Sequence, residues 1–587
     1  MQKIYTITDR LSRVKPWVWL LLALLITLAA RLAWILLTAN EPVSDFARYH
    51  ELAAHYANHG TILWGRYTAI FPHTWGYTLV LSWMYSLFGV SYSVAFGFNL
   101  ALCLAIAALM YDIGAKLFAP WIGGIAALIW AFMPGQVMFV SLICAEMLHL
   151  TLMLAAISLY LRIHRAEIWR SRLFFVCACG IVLGFSSIIR PISLVILIAL
   201  VFHLILSHAF VRVQGYLVVF GKNFLKRGLI LCLLLPLFYF GALSLYEHAY
   251  LAPTLQRSYD TDLSEFFLDR DVPPIPFSDF PNSRPAMSGG WNLLVGMHAP
   301  SNGILNEYLQ INYFLPALHD TSRSAIEVQR DFMEQAVYSA HQNLRDGTML
   351  PLLARKTINL WGRDDWVVNW QANNETVNEY GQPVGHISVA AWQRLLSFAA
   401  NGYYYIVLAA ALLSMSLLLF VKKARRRLSP ILPLSIAFWG LFFFLLLMET
   451  NARYPYPANA LLILIGTGLL TLLTRPTRKK ILSADGHEVV GIYDEPHTPS
   501  LTDTPAKITT QPAESTPAPD QNAASPAQNA GLSQEKATLS DQNAGLPHET
   551  ATMPPKTIVS PSEATPPPLQ NTPKTALSVE TDPPSSL

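Results

Sequence analysis

The chain has 587 residues, 53% of them hydrophobic and only 13% charged, with a formal net charge of +3. Soluble domains carry about 25% charged residues, and single soluble cores stop growing near about 250–300 residues. A soluble globular protein is therefore excluded, and no nucleic-acid partner is expected.

Several stretches reach about 20 apolar residues, the length that crosses roughly 30 Å of hydrocarbon as a helix. The first, Trp17 to Thr38, is too long for a signal-peptide core and no small-residue cleavage site follows, so it reads as the first membrane helix. Further spans are predicted near 94–116, 119–139, 143–162, 172–190, 191–210, 228–250, 397–421, 429–448 and 454–474. The stretch 75–92, broken by Trp, Gly, Ser and Tyr, reads as interfacial. The expected fold is thus an all-α polytopic membrane protein of about ten membrane helices. Residues 1–250 form a first membrane domain with an outer loop at 39–93, and 397–480 supply the last membrane helices. Between them, 251–396 holds Trp291, Trp361, Trp366, Trp370 and Trp392 and an amphipathic segment from Ser322 to Leu344. It reads as a folded outer domain of mixed, mainly helical structure.

Lysine and arginine set the orientation. With Lys3, Arg10, Arg13 and Lys15 in the cytoplasm, alternate spans also place Lys116, Arg162, Arg165, Arg170, Arg172 and the run Lys422 to Arg427 inside. The multi-pass chain is expected in a bacterial inner membrane, with 39–93 and 251–396 on the extracytoplasmic side. Residues 481–587 are rich in Pro, Thr, Ala, Ser, Gln and Asn, with a loose repeat (DQNAAS, AQNAGLS, DQNAGLP). Such a composition cannot bury enough apolar area to offset its ordering entropy, so a disordered cytoplasmic tail is expected. The five cysteines, Cys103, Cys144, Cys177, Cys179 and Cys232, lie in or beside apolar runs and read as buried hydrophobes, with no metal pair among them.

Two acids stand out. Asp45 follows the first span closely, with Tyr49 and His50 about one turn further on. A helix cap formed by Ser44 or Asp45 is the competing reading. Glu146 lies in a strongly apolar region at an outer helix end, where an ionised group deep in lipid costs roughly 2–3 kcal/mol and calls for a partner or a cavity. Three arginines approach the same face against the inside bias: Arg190 before Pro191, Arg453 near the last span, and Arg31 about two turns from the outer end of the first. Guanidinium groups suit bidentate phosphate recognition; headgroup snorkelling is the alternative. Acids and arginines converging on one outer rim make a site for a phosphate-bearing lipid.

These residues sit in strings that resemble the GT-C membrane glycosyltransferases, in the branch of the protein mannosyltransferases, the aminoarabinose transferase and their bacterial relatives. SDFARY (44–49) resembles the Asp-containing first outer loop, Glu146 the second acidic position, and GFSSIIRP (184–191) the Gly…Arg-Pro element. RDGTMLPLLARKTINLW (345–361) resembles the segment leading back to the membrane, ARYPYPANALLILIG (452–466) the Arg-Tyr…Pro element of a late span, and SGGWNLLVGMHAPSNG (288–303) an outer-loop signature. The second acid is Glu where Asp is commoner, and the first loop has Ser-Asp-Phe where Asp-Glu is commoner; either bears on metal dependence and acceptor type.

The resemblance implies transfer of a hexosyl or pentosyl group from a polyprenyl-phosphate donor to a glycan, lipid or protein acceptor, with inversion at the anomeric carbon. It implies Asp45 as general base, Arg190, Arg453 and Arg31 as donor-phosphate ligands, and Glu146 as the acid that orients the acceptor, positions an arginine or helps to hold a cation. Tyr49, His50, Lys356 and Arg363 are further substrate-binding candidates. A divalent cation is conceivable, but no metal ligands are assigned. The competing readings are a surface-glycan polymerase or ligase using diphosphate-linked donors, and a transporter or lipid flippase. No repeat relates the two halves of the chain, as transporters often show.

Overall fold

The computed structural model describes residues 2–474, apart from 40, 63–65, 214–215, 220–223, 255–288, 321–322 and 381, together with the short segments 479–482 and 488–491. Apart from those segments, the sequence-predicted tail lies outside the described residues, as does the first part of the sequence-predicted outer domain.

The described chain is helical. Its first half holds α1 (Gln2–Arg13), α2 (Pro16–Leu37), α3 (Asp45–His59), α4 (Arg66–Ile70), α5 (Thr74–Phe88), α6 (Tyr92–Leu117), α7 (Pro120–Phe132), α8 (Pro134–Met138), α9 (Ala145–Arg165), α10 (Trp169–Ile189), α11 (Ser193–Ala209) and α12 (Leu229–Leu245). Then come α13 (Gly290–Met297) and a helical run, α14, made of Glu307–Leu309, Gln310–Phe314 and Leu315–His319. The chain continues through α15 (Ala325–Arg345), α16 (Met349–Trp361), α17 (Trp366–Asn373), α18 (Val389–Phe420), α19 (Lys422–Leu428), α20 (Leu432–Leu447) and α21 (Tyr456–Thr467). Two antiparallel hairpins, β1 (Phe210–Val213) with β2 (Tyr216–Val219) and β3 (Lys479–Leu482) with β4 (Glu488–Gly491), complete the elements.

Eight helices are long and apolar enough to cross a membrane, nine with the bent pair α7–α8, and the shorter apolar helix Ser193–His208 stands at the remaining sequence-predicted span. The bend in the α7–α8 pair is 66°. Pro134 accounts for it, since proline removes a backbone donor and clashes with the preceding turn. The stretch 75–92 is mostly one helix, α5, which packs on α3 and buries Trp75, Tyr77, Leu79, Leu81 and Tyr85.

The bundle has two unlike ends. At the basic end Lys116 Nζ donates to Ser158 Oγ at 2.8 Å, Arg162 pairs with Asp112 at 3.5 Å, and Arg427 donates to the carbonyls of Thr471 and Thr474. The long connections 38–73 and 252–388 leave from the other end, called here the loop end. There Trp291, Leu294, Val328 and Phe332 form a small second core with Ile70 and Phe71 of the first connection. The amphipathic segment predicted at 322–344 is α15, opened by a capping box between Ser324 and Glu327.

A clamp ties this second core to the bundle. Thr450, just past α20, donates its N–H to Gly303 O at 2.7 Å. Gly296 on α13 lies so close to the end of α20 that an added Cβ would stand 2.2 Å from Leu447 O, an approach only glycine permits. Lys356 on α16 is fully buried and donates to Gly296 O at 2.8 Å and to Met448 O at 2.6 Å.

Candidate active site

Asp45 is the first residue of α3. Ser44 before it adopts φ 57°, ψ −130°, and its side chain caps nothing. That backbone region favours glycine and costs a residue such as serine about 1–3 kcal/mol, a strain that marks functional turns. The expected Ser44 cap is therefore absent. Asp45 Oδ2 instead accepts from Arg453 Nη2 at 3.0 Å, and Oδ1 takes no hydrogen bond among the described residues. Arg453 lies in the short connection between α20 and α21, fixed by backbone bonds that include Tyr456 N–H to Arg453 O at 3.1 Å.

Glu146 opens α9 and is 2% exposed. Its Oε1 accepts from Arg190 Nη2 at 2.5 Å and lies 3.7 Å from Arg453 Nε, so one carboxylate oxygen serves two guanidinium groups. Arg190 ends α10, where Pro191 prevents the helix from continuing. Glu146 Oε2, Arg190 Nε and Arg453 Nε are buried without a hydrogen bond among the described residues. Around these groups stand rings from three segments. The Arg453 guanidinium lies 5.7 Å from the centres of the Phe46 and Tyr454 rings and 5.9 Å from that of Trp366. Trp366 stacks on Trp370 at 5.3 Å, and Tyr454 Oη donates to Glu449 Oε2 at 3.0 Å.

Burial opposes the charge on Arg453, but Glu146, Tyr454 and Asp45 outweigh it and hold the guanidinium protonated well above its ordinary range. Burial pushes the Glu449 carboxyl up, with Arg453 and Tyr454 pulling it back. Burial, aided by Arg190 and opposed by Asp45, lowers His73 to about 4, so its imidazole is neutral. Among the described residues no group of three or more His, Cys, Asp or Glu is placed to hold a metal ion.

The structure therefore brings Asp45, Glu146, Arg190 and Arg453 together at the loop end. It does not bring the other candidates to them in the expected way. Arg31 is fully buried elsewhere: it donates to Ala131 O at 2.6 Å and lies 4.2 Å over the Trp130 ring. The Pro134 break leaves the last carbonyls of α7 without helical partners, and Arg31 donates to Ala131 O and, at 3.4 Å, to Trp130 O. His50 turns to Tyr85, with Nδ1 2.6 Å from its hydroxyl, and packs against Tyr92. Tyr49 is buried edge-on against Tyr77, close enough to Asp45, Glu146 and both arginines to feel their charge. Arg363 is half-exposed and pairs with Asp365 at 3.0 Å. Lys356 is committed to two backbone carbonyls, which corrects its reading as a substrate ligand.

Burial lowers Lys356 to about 7, against the pull of Glu449. In the unfolded chain a lysine keeps its proton to about pH 10.4. Between these values unfolding takes up a proton, so this group makes stability rise with pH across that window. The thermal midpoint of the wild type should climb relative to Lys356→Met between pH 7 and 10; parallel curves for the two proteins would reject the assignment.

Sequence reasoning missed Tyr454, Phe46 and the Trp366–Trp370 pair as parts of the site. Tyr454 and Phe46 each adjoin a candidate charge in sequence, and that adjacency was the available signal. The tryptophans registered only as marks of a folded segment.

No family model matches the sequence, and no curated protein matches it. Among solved structures the chain is similar to the archaeal oligosaccharyltransferase AglB from Archaeoglobus fulgidus in complex with an inhibitory peptide and a dolichol-phosphate. The identity is 14% and the TM-score 0.41, over 77% of this chain and 50% of that chain. It is also similar to ArnT from Cupriavidus metallidurans bound to undecaprenyl phosphate, at 14% identity and a TM-score of 0.28, over 78% and 77% of the two chains. The chain spans half the length of the archaeal enzyme. A likeness this loose in shape assigns a role to no residue of this chain.

Proposed function

We propose that the chain is a membrane glycosyltransferase that moves a sugar from a polyprenyl-phosphate donor to an acceptor at the extracytoplasmic face. The observation that carries this reading is the meeting of two carboxylates and two arginines, drawn from four separate segments, at the loop end of a membrane bundle. The basic connections gather at the opposite end, which the positive-inside rule assigns to the cytoplasm.

In the resting arrangement both arginines are already paired with acids. A donor phosphate therefore exchanges with Asp45 on Arg453, and the exchange frees the Asp45 carboxylate. The acceptor hydroxyl then attacks the anomeric carbon, the bond from that carbon to the phosphate oxygen breaks, and Asp45 takes the hydroxyl proton. The electron pair leaves with the lipid phosphate, whose growing charge Arg453 and Arg190 stabilise. Glu146 holds the two guanidinium groups at their spacing. No general acid is required, because a phosphate monoester leaves as a stable anion.

The test is donor choice. Purified protein in vesicles should consume a polyprenyl-monophosphate sugar and release polyprenyl phosphate. Turnover of diphosphate-linked donors alone would replace this reading with that of a polymerase or ligase.

A further inference from the structure

We propose that α16 (Met349–Trp361) enters the lipid leaflet at the loop end of the bundle, with one apolar side covered by lipid. The inference does not rest on the glycosyl-transfer reading. α16 is a regular helix of 13 residues. Leu350, Ala354 and Ile358 recur every four residues, and Pro351 falls beside Ile358, so the four share an arc of about 100°. All four are exposed, Leu350 by 78% and Ile358 by 68%. No charged, amide or hydroxyl side chain interrupts the arc; Thr357 borders it on one side and Arg355 on the other. The opposite side holds Leu352, Lys356 and Leu360, all buried. A helix held by one side and apolar on the other has the pattern of helices that lie in a membrane interface.

Two spans fix the depth. The Trp361 ring lies 5.4 Å from that of Phe438 and 5.3 Å from that of Phe442, both inside span α20. Tyr404 and Tyr405, in the middle of span α18, donate their hydroxyls to Trp361 O at 2.9 Å and to Gly362 O at 2.8 Å. The end of α16 therefore lies below the surface of the bilayer. Lys356 meets Met448 O, one residue past α20, and so marks that surface. Ile358 stands on the hydrocarbon side of it. Leu350, six residues before Lys356, lies about 9 Å farther out along the axis, at the outer edge of the headgroup zone. Arg355, bordering the arc, donates to Asn302 Oδ1 at 3.0 Å and keeps its charge at headgroup level. Around the end of α16 the spans show exposed apolar side chains, Phe443 and Leu447 on α20 and Tyr405 and Ile406 on α18. The apolar arc adjoins this surface, and the lipid that covers the spans covers the arc with them.

The test places the photoreactive residue p-benzoylphenylalanine singly at 350, 354 or 358 of the full chain, or at the exposed position of Glu334 on α15 as the polar control. Each protein is reconstituted in vesicles of phosphatidylethanolamine and phosphatidylglycerol and irradiated, and its mass is read. Phospholipid adducts several-fold above the control are expected at 354 and 358, with a smaller yield at 350. A yield at 354 or 358 no higher than at 334, or one that is highest at 350, would overturn the proposal. So would a covalent dimer, which makes a second copy the occupant, or an internal cross-link, which makes it another part of this chain. An unchanged gel-filtration profile confirms that each variant is folded.

Discussion

Replacing Asp45 by Asn is expected to slow sugar transfer by about 10²–10⁴-fold, the range contributed by a positioned general base. Asparagine keeps the shape of the side chain and an oxygen for Arg453, so the pairing partner at 3.0 Å is retained in kind while the proton acceptor is lost. The loss should therefore appear in turnover, with donor binding little changed. The relevant measurement is initial rate against donor concentration in vesicles, at matched protein levels. A variant with near-normal turnover would remove Asp45 from the chemistry. A variant that only binds donor more weakly would make it a ligand and not a base.

The second large effect concerns Glu146. Breaking a buried ion pair by removing one partner costs about 3–5 kcal/mol, because the charge left behind is uncompensated. Glu146→Ala leaves Arg190, 2.5 Å from the lost oxygen, without an acid, and leaves Arg453 with Asp45 alone as its partner. It should therefore lower the thermal midpoint in detergent sharply. Removing Arg190 as well should recover part of the loss, since the one guanidinium that remains, Arg453, keeps Asp45 as its partner. Single effects that simply add, to within about 0.5 kcal/mol, would show that the two residues do not act on one another.

The membrane helices were legible in sequence because length and apolarity alone decide a span, and the order of spans follows. The meeting of the four charged candidates was legible for a related reason: each is anomalous where it stands, an acid beside an apolar span or an arginine away from the basic end of the bundle. Arg31 shows the limit of that logic. An arginine inside an apolar helix announces a buried partner without naming it, and here the partner is a set of backbone carbonyls exposed by a proline break. Lys356 misled in the same way. Its partners, the carbonyls of Gly296 and Met448, carry no sequence signal, because every residue has a carbonyl. Ser44 was illegible for a different reason: cap propensity is a local statistic, and the pull on Asp45 from Arg453 acts across the whole fold.

Asp45 and Arg453 are separated by 408 positions along the chain. During translation the carboxylate therefore leaves the ribosome long before the guanidinium that partners it. Until the last two spans insert, a nascent polypeptide holds Asp45 without the side chain that pairs with it. Every prematurely terminated product therefore lacks this ion pair.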